Sequence, residues 1–182
     1  MRDVAERAAL DDAAVLLPEC EQRSWYPGRF FDPVDGNEPH LTRAVEAVQQ
    51  VVDVARAAGI PAGRIVLAGF SQGACVVTEL LRRDPRPFGA VVVLTGALMG
   101  APREDGEHPR PAGDLAGVRM HFSCSRRDAW IPLEHAVAAR RYFERAGARV
   151  TMSVSDETEH HVSDAEAAYL RRLVDEVVAG DR

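Results

Sequence analysis

Residues 65–77 read IVLAGFSQGACVV and contain the pattern Gly69-x-Ser71-x-Gly73 between an apolar run and a helical pattern. A serine on a sharp turn from a strand into a helix has a strained backbone and a hydroxyl that stands clear of the sheet. We predict that so sharp a turn needs residues without bulk two positions before and two positions after the serine, and these residues are Gly69 and Gly73. Unpaired N–H groups at the start of the following helix can stabilise a developing oxyanion. The segment therefore predicts a nucleophilic serine at position 71.

Apolar runs alternate with helical patterns along the chain. Runs typical of buried strands cover residues 13–17, 65–68, 90–94, 118–124 and 149–154. Helical spacing of apolar residues covers 41–58, 74–83, 133–146 and 163–179, and Ser163 with Glu166 forms a capping box for the last helix. Continuous apolar runs indicate parallel strands that are covered on both faces. We therefore expect a single α/β domain over residues 1–182, with a mostly parallel sheet and helices on both faces.

A serine hydroxyl is a weak nucleophile unless a base accepts its proton and an acidic residue orients that base. When the serine follows a strand of an α/β sheet, the acidic residue and then the histidine come from loops after later strands. Asp128 follows the fourth apolar run, and His160 follows the fifth, directly before the last helix. His161 competes with His160 for the role of base. A metal cluster of Glu157, Glu159 and these histidines is disfavoured, because adjacent histidines point in different directions.

The composition argues against several other functions. The chain has 182 residues, of which 28 are acidic and 22 are basic. Its net charge of −6 disfavours nucleic acid or an anionic membrane surface as the main partner. All the basic residues are arginine, so that a lysine Schiff base and a Walker A lysine are impossible.

The cysteines and the apolar segments indicate a cellular compartment. Cys20, Cys75 and Cys124 are odd in number and lack CxxC spacing, which argues against a disulfide framework or a zinc ribbon. The first residues are too charged for a signal peptide, and the apolar window at residues 90–94 is too short for a membrane span. We therefore expect a soluble cytoplasmic protein.

The motifs together carry a resemblance to a known family. They are Gly69-Phe70-Ser71-Gln72-Gly73, Ser123-Cys124-Ser125-x-x-Asp128-x-x-Ile131-Pro132 and His160-x-Val162-Ser163, with Leu17-Pro18, Ser24-Trp25-Tyr26-Pro27 and Asn37-Glu38-Pro39 upstream. In this combination the chain resembles the phospholipase/carboxylesterase family of α/β-hydrolases, which includes the acyl-protein thioesterases. The upstream motifs resemble its bacterial carboxylesterase branch. The resemblance covers nearly the whole chain and implies an α/β-hydrolase fold.

The resemblance implies a role for each residue of the main motifs. Ser71 is expected to be the nucleophile, His160 the general base and acid, and Asp128 the residue that orients the histidine. The x-Val-Ser that follows the histidine favours His160 over His161. We expect the backbone N–H of Gln72 to stabilise the oxyanion. The family hydrolyses carboxylic esters, some lysophospholipids and thioesters, and it uses no metal or organic cofactor.

Substrate contacts are also implied. The segment Thr95-Gly96-Ala97-Leu98 resembles a family segment in which an aliphatic residue lines the acyl pocket. Leu98 and Met99 are therefore expected to contact a small ester or thioester substrate. Trp25 and Trp130 are candidates for the walls of the cleft, although a large aromatic residue on a loop is at least as often a packing residue.

The chain departs from the family at its N-terminus. Family members normally carry, before the equivalent of residues 15–18, another apolar strand that ends in a His-Gly motif and supplies a second oxyanion N–H. Here residues 1–10 precede, with a helical pattern and without His-Gly. We therefore expect an N-terminally truncated fold, in which the strands at 13–17 and 65–68 lose the neighbour that they share.

Three explanations account for this departure. The true start lies upstream of Met1, or the first strand joins the sheet in a different way, or the protein is a degraded hydrolase that keeps a binding function. The first is favoured because every other catalytic element is present. Loss of one oxyanion donor lowers a rate by roughly 10²–10³. The gap in the sheet also leaves room for a partner's strand in a homodimer.

Overall fold

A sheet of four parallel strands lies at the centre of the computed structural model, which describes residues 1–20 and 23–180. The strands follow one another in chain order: β1 (Val66–Phe70), β2 (Ala90–Leu94), β3 (Arg119–Ser125) and β4 (Arg149–Ser155). The register pairs Phe70 with Leu94 and Leu94 with Ser123. The carboxyl ends of the strands therefore meet along one edge, where ligands of open α/β sheets bind.

Helices cover both faces of this sheet. They are α1 (Arg2–Arg7), α2 (His40–Ala57), α3 (Gln72–Arg83), α4 (Leu133–Arg145) and α5 (Asp164–Ala179). Val91 and Val93 of β2 belong to a buried cluster with α2, α3 and α4, whereas Ala90, Val92 and Leu94 belong to a second cluster with α1 and α5. Every residue of β2 is buried, which confirms the prediction of a parallel sheet covered on both faces. Within the described ranges, no helix is both long enough and apolar enough to span a bilayer.

The predicted strand at residues 13–17 is wrong. These residues form no strand, and Val15, Leu16 and Leu17 are exposed to 41%, 48% and 37%. An apolar run becomes a strand only where a neighbour accepts and donates its backbone hydrogen bonds. Among the described strands, β1 lies at the edge of the sheet, and residues 13–17 do not pair with it. The idea that this first strand joins the sheet in a different way is therefore also contradicted.

The turn from β1 into α3 depends on one close approach of two backbones. A Cβ atom on Gly69 would lie 2.5 Å from the carbonyl oxygen of Gly73 and 2.7 Å from the Cα atom of Ala74. A Cβ atom on Gly73 would instead meet its nearest neighbour, the indole Nε1 of Trp25, at an ordinary 3.7 Å. The prediction that both glycines must lack bulk is correct for Gly69 and wrong for Gly73.

We expect Gly69→Ala to lower the free energy of unfolding by about 2 kcal/mol or more, because neither backbone atom can move away cheaply. The matched variant Gly73→Ala should change it by less than about 1 kcal/mol, since the added methyl group has room and reduces the freedom of the unfolded chain. Urea denaturation of both variants at pH 7 measures the two values. Equal destabilisation by the two substitutions would contradict this account.

A buried histidine joins β3, β4 and α5. His121 is 5% exposed, and its Nδ1 lies 2.8 Å from Thr151 Oγ1 and its Nε2 3.2 Å from Ser153 Oγ. The ring of Tyr169 stacks on it at 3.7 Å between centroids. Burial lowers the pKa of His121 to about 4. The imidazole therefore stays neutral at pH 7. It links β4 to α5, and the loop that carries His160 runs between these two elements.

Stability should fall as the pH falls from about 6.5 to about 4. The unfolded chain binds a proton at each histidine near pH 6.5, whereas folded His121 binds one only near pH 4. The free energy of unfolding therefore decreases as the pH falls through that window. We expect His121 to account for roughly 2–3 kcal/mol of this loss. Urea denaturation at pH 7 and at pH 4.5 should show a smaller pH dependence for His121→Gln than for the wild type. His161→Gln, which alters an exposed histidine, should keep the wild-type pH dependence.

Candidate active site

Ser71 lies at the junction of β1 and α3, as the residue that precedes the first turn of the helix. Its φ and ψ are 54° and −123°, and a positive φ is uncommon for a residue other than glycine. Two backbone hydrogen bonds fix it: its N–H donates to Leu94 O at 3.0 Å, and its carbonyl oxygen accepts from the N–H of Cys75 at 3.1 Å. No side chain caps the start of α3, so that the first N–H groups of the helix are free to face a ligand.

Asp128 lies on the loop between β3 and α4. Its Oδ1 accepts hydrogen bonds from the backbone N–H groups of Trp130 and Ile131, both at 2.8 Å, and its side chain is only 2% exposed. Burial by itself would raise the pKa of this carboxyl. The hydrogen bonds from His160, Ile131 and Trp130 outweigh burial and hold the pKa of Asp128 below its usual value. Asp128 therefore remains a carboxylate, which can only accept hydrogen bonds.

His160 connects Asp128 to Ser71. Its Nδ1 lies 2.7 Å from Asp128 Oδ2, and its Nε2 lies 2.8 Å from Ser71 Oγ. Because the carboxylate is an acceptor, Nδ1 carries a proton and donates it to Asp128, and in the neutral ring Nε2 is the acceptor for the Ser71 hydroxyl. The adjacent His161 is 44% exposed and lies beside Glu157 and Glu159. The structure therefore brings together Ser71, Asp128 and His160.

The loop that carries His160 is fixed at its far end. Ser163 and Glu166 form the predicted capping box of α5, and Val162 is buried in the second core cluster. Arg7 of α1 donates a hydrogen bond to Val162 O at 2.7 Å and pairs with Asp164 at 2.9 Å. Sequence reasoning missed Arg7, because an arginine in a short helix more than 150 residues away carries no signal of this contact.

Two aromatic rings flank the imidazole. The ring of Phe70, the residue before the serine, lies 4.8 Å from the ring of His160, and the ring of Trp130 lies 6.3 Å from it. Trp130 is 69% exposed, so that most of its indole surface remains available at the mouth of the site. Phe70 was not singled out from the sequence, since the x before the serine in the motif is open to many residue types.

The remaining predicted contact residues lie in different surroundings. The half-buried indole of Trp25 faces Gly73 in the first turn of α3. Leu98 and Met99 are 1% and 3% exposed and belong to the first core cluster, which leaves almost no side-chain surface for a ligand in this conformation. Their contact with substrate stays a prediction.

Other features of the molecule do not compete with this site. Within residues 1–20 and 23–180, no group of three or more His, Cys, Asp or Glu side chains is arranged to hold a metal ion. A cavity of about 400 Å³ lies at the opposite ends of the strands, beside Arg64, Arg119 and Arg149. That cavity contains none of the predicted site residues, and geometry rather than volume identifies the site at Ser71.

Comparison with known proteins places these features in a family. A model of the phospholipase/carboxylesterase family matches residues 13–176. The chain is 27% identical to esterase YpfH of Escherichia coli (strain K12) over 106 residues, which are 58% of this chain and 42% of that protein. It is 30% identical to acyl-protein thioesterase 1 of Cryptococcus neoformans var. neoformans serotype D over 76 residues, 40% of this chain and 32% of that protein. The chain thus spans less than half the length of these curated relatives.

Solved structures show the same likeness. A phospholipase/carboxylesterase from Dyadobacter fermentans superposes with a TM-score of 0.76 at 32% identity, covering 85% of this chain and 73% of that one. A carboxylesterase from Mesorhizobium loti superposes with a TM-score of 0.70, covering 95% and 80% of the two chains; at 21% identity this bears on the fold alone. Because the family match extends over most of its length, this chain belongs to the phospholipase/carboxylesterase family.

Proposed function

We propose that this protein is a serine esterase, which cleaves carboxylic esters or thioesters of small molecules through an acyl-enzyme on Ser71. The observation that carries the proposal is the unbroken hydrogen-bond chain, with 2.8 Å between Ser71 Oγ and His160 Nε2 and 2.7 Å between His160 Nδ1 and Asp128 Oδ2. These distances are those of a nucleophile, its base and the group that orients the base. The esterase and thioesterase names of the relatives support the same class of reaction.

Acylation begins when Ser71 Oγ attacks the carbonyl carbon and His160 Nε2 takes the hydroxyl proton. The imidazolium that forms is stabilised by the carboxylate of Asp128, which holds the ring by its Nδ1–H. The backbone N–H of Gln72 at the start of α3 stabilises the negative charge that develops on the carbonyl oxygen. His160 then gives its proton to the leaving alcohol or thiol as the carbon–oxygen or carbon–sulfur bond breaks.

Deacylation repeats these steps with water in place of serine. His160 removes a proton from water, the resulting hydroxide attacks the acyl-enzyme, and the carbon–Ser71 bond breaks as the proton returns to Oγ. The products are a carboxylic acid and the free hydroxyl of Ser71. The chain's own residues carry out every proton transfer.

The three cysteines are free thiols, which fits the proposed location in the reducing cytoplasm.

A second candidate is a binding protein that keeps the hydrolase fold. The observation in its favour is that β1, the strand before Ser71, lies at the edge of the described sheet. If the backbone N–H of Gln72 acts there without a second oxyanion donor, the rate is lower by roughly 10²–10³. A fluorophosphonate probe separates the candidates: an activated Ser71 should be labelled, whereas a serine in a binding protein without an activated nucleophile should not react.

Ser71→Ala should lower the rate at which the protein hydrolyses p-nitrophenyl butyrate by about 10³-fold or more, because the acyl-enzyme cannot form. Release of p-nitrophenol by the purified proteins measures the rate. Ser155→Ala, which alters an exposed serine at the end of β4, should retain the wild-type rate. Equal rates for the wild type and Ser71→Ala would remove Ser71 from the reaction.

Asp128→Asn should lower kcat by about 10³–10⁴ with little change in stability. The amide oxygen can still accept from Trp130 and Ile131, but the amide N–H₂ then faces His160 Nδ1. The ring must protonate Nε2 instead and can no longer accept the proton of Ser71. Ester hydrolysis and urea denaturation measure the two effects, with Asp156→Asn as the control on an exposed aspartate. A wild-type kcat for Asp128→Asn would contradict the role of Asp128.

A further inference from the structure

The side chain of Gln72 ties a distant segment to the nucleophile turn. Its Oε1 accepts a hydrogen bond from the backbone N–H of Trp25 at 3.1 Å, and its Nε2 donates to Tyr26 O at 3.1 Å. Ser24 Oγ donates to the same Tyr26 carbonyl at 2.8 Å and lies 3.4 Å from Gln72 Oε1. One amide side chain therefore satisfies both a donor and an acceptor of a segment that is 46 to 48 residues away in the chain.

The tied segment carries the indole of Trp25, which lies against the first turn of α3. Trp25 is half-buried against the first core cluster, and its Nε1 is 3.7 Å from the position of a Cβ on Gly73. Tyr26, the next residue, is 2% exposed and anchors the other end of the tied segment. Trp25 is only half-buried, so that part of its side chain remains exposed beside the first turn of α3, the helix that begins directly after Ser71.

We propose that Gln72 is a positioning residue, whose side chain holds Trp25 close to Ser71. An apolar acyl chain of the substrate then binds against the indole of Trp25. This inference rests on the proposed esterase function and adds a second role to Gln72. The backbone N–H of Gln72 serves the oxyanion, whereas its side-chain amide sets acyl-chain selectivity through Trp25. An oxyanion donor needs only the backbone of this residue, so that the side-chain contacts call for a separate explanation.

The chemistry of the contact requires an amide at this position. A methionine has nearly the same length but neither donates nor accepts these two bonds effectively. A glutamate would place a carboxylate oxygen against the carbonyl of Tyr26, with no proton between them. Gln72→Met is therefore the test that removes the tie and keeps both the length of the side chain and the backbone N–H.

Two esters of different acyl length make the test selective. The wild type should prefer p-nitrophenyl butyrate to p-nitrophenyl acetate in kcat/KM, because the two extra methylenes pack on Trp25. Gln72→Met should lower this butyrate-to-acetate ratio by about tenfold, since each buried methylene contributes a factor of roughly four. Trp25→Ala should lower the ratio to the same extent, and the double variant Gln72→Met, Trp25→Ala should lower it no further.

The ratio separates positioning from general damage to the site, because damage lowers kcat/KM for both esters equally. Gln50→Met is the matched control, as Gln50 is an exposed glutamine of α2, and it should keep the wild-type ratio. A wild-type ratio near one, or a Gln72→Met ratio equal to that of the wild type, overturns the proposal. If wild-type hydrolysis is itself unaffected by Ser71→Ala, it is the proposed function that has failed.

A measurement without substrate tests the tie by itself. Trp25 and Trp130 are the two tryptophans of the chain, so that Trp130→Phe leaves Trp25 as the single indole fluorophore. In that background, Gln72→Met should increase the quenching of Trp25 fluorescence by acrylamide about twofold or more, because the segment 24–26 is released from the turn. Equal quenching in the presence and absence of the Gln72 amide would refute the positioning role, whatever the state of the hydrolytic activity.

Discussion

The backbone of Gly69 lies against the first turn of α3, and this contact sets the geometry of everything beside it. A Cβ at position 69 would stand 2.5 Å from the carbonyl oxygen of Gly73, so that any larger residue would push the helix away from the strand. Ser71 lies between the strand and the helix and has the conformation of neither. It adopts a positive φ instead, and its hydroxyl is presented at the edge of the sheet together with the first N–H groups of α3.

The parallel sheet supplies the partners of that hydroxyl. Strands β3 and β4 run in the same direction as β1, so that the loops after them reach the same edge of the sheet. Each loop is then fixed by its own contacts. Two backbone N–H groups hold Asp128, and Arg7 with the Ser163 cap holds the segment after His160. The imidazole of His160 therefore lies within hydrogen-bond distance of both Ser71 and Asp128.

The strand before Ser71 lies at the edge of the described sheet. In the described part of the chain, β1 pairs with β2 alone, and the apolar side chains of Val15, Leu16 and Leu17 are exposed. A strand that is paired on one side has backbone groups available on the other. The turn at Ser71 is held by the packing of α3 on β1 and by the hydrogen bonds of Gln72 to Trp25 and Tyr26.

Local patterns were sufficient to predict much of this protein. The turn from β1 into α3, the parallel strands from β1 to β4 and the capping box of Ser163 follow from the sequence, because the residue patterns that determine them lie close together in the chain. The sequence also placed Ser71, Asp128 and His160 after successive strands, and the structure brings these three side chains together. The strand expected at residues 13–17 failed for the converse reason. An apolar run indicates burial, but whether a strand forms depends on a neighbour that the run itself does not contain.

Contacts between distant segments were decided by the tertiary structure alone. The hydrogen bonds of Gln72 to Trp25 and Tyr26, and of Arg7 to Val162, join residues whose identities carry no mark of each other. The same is true of the room beside Gly73, which exists because the indole of Trp25 stops at 3.7 Å. A sequence determines which groups can donate, accept or pack, whereas only the folded chain determines which of them meet, because distances across the molecule depend on the packing of all its elements together.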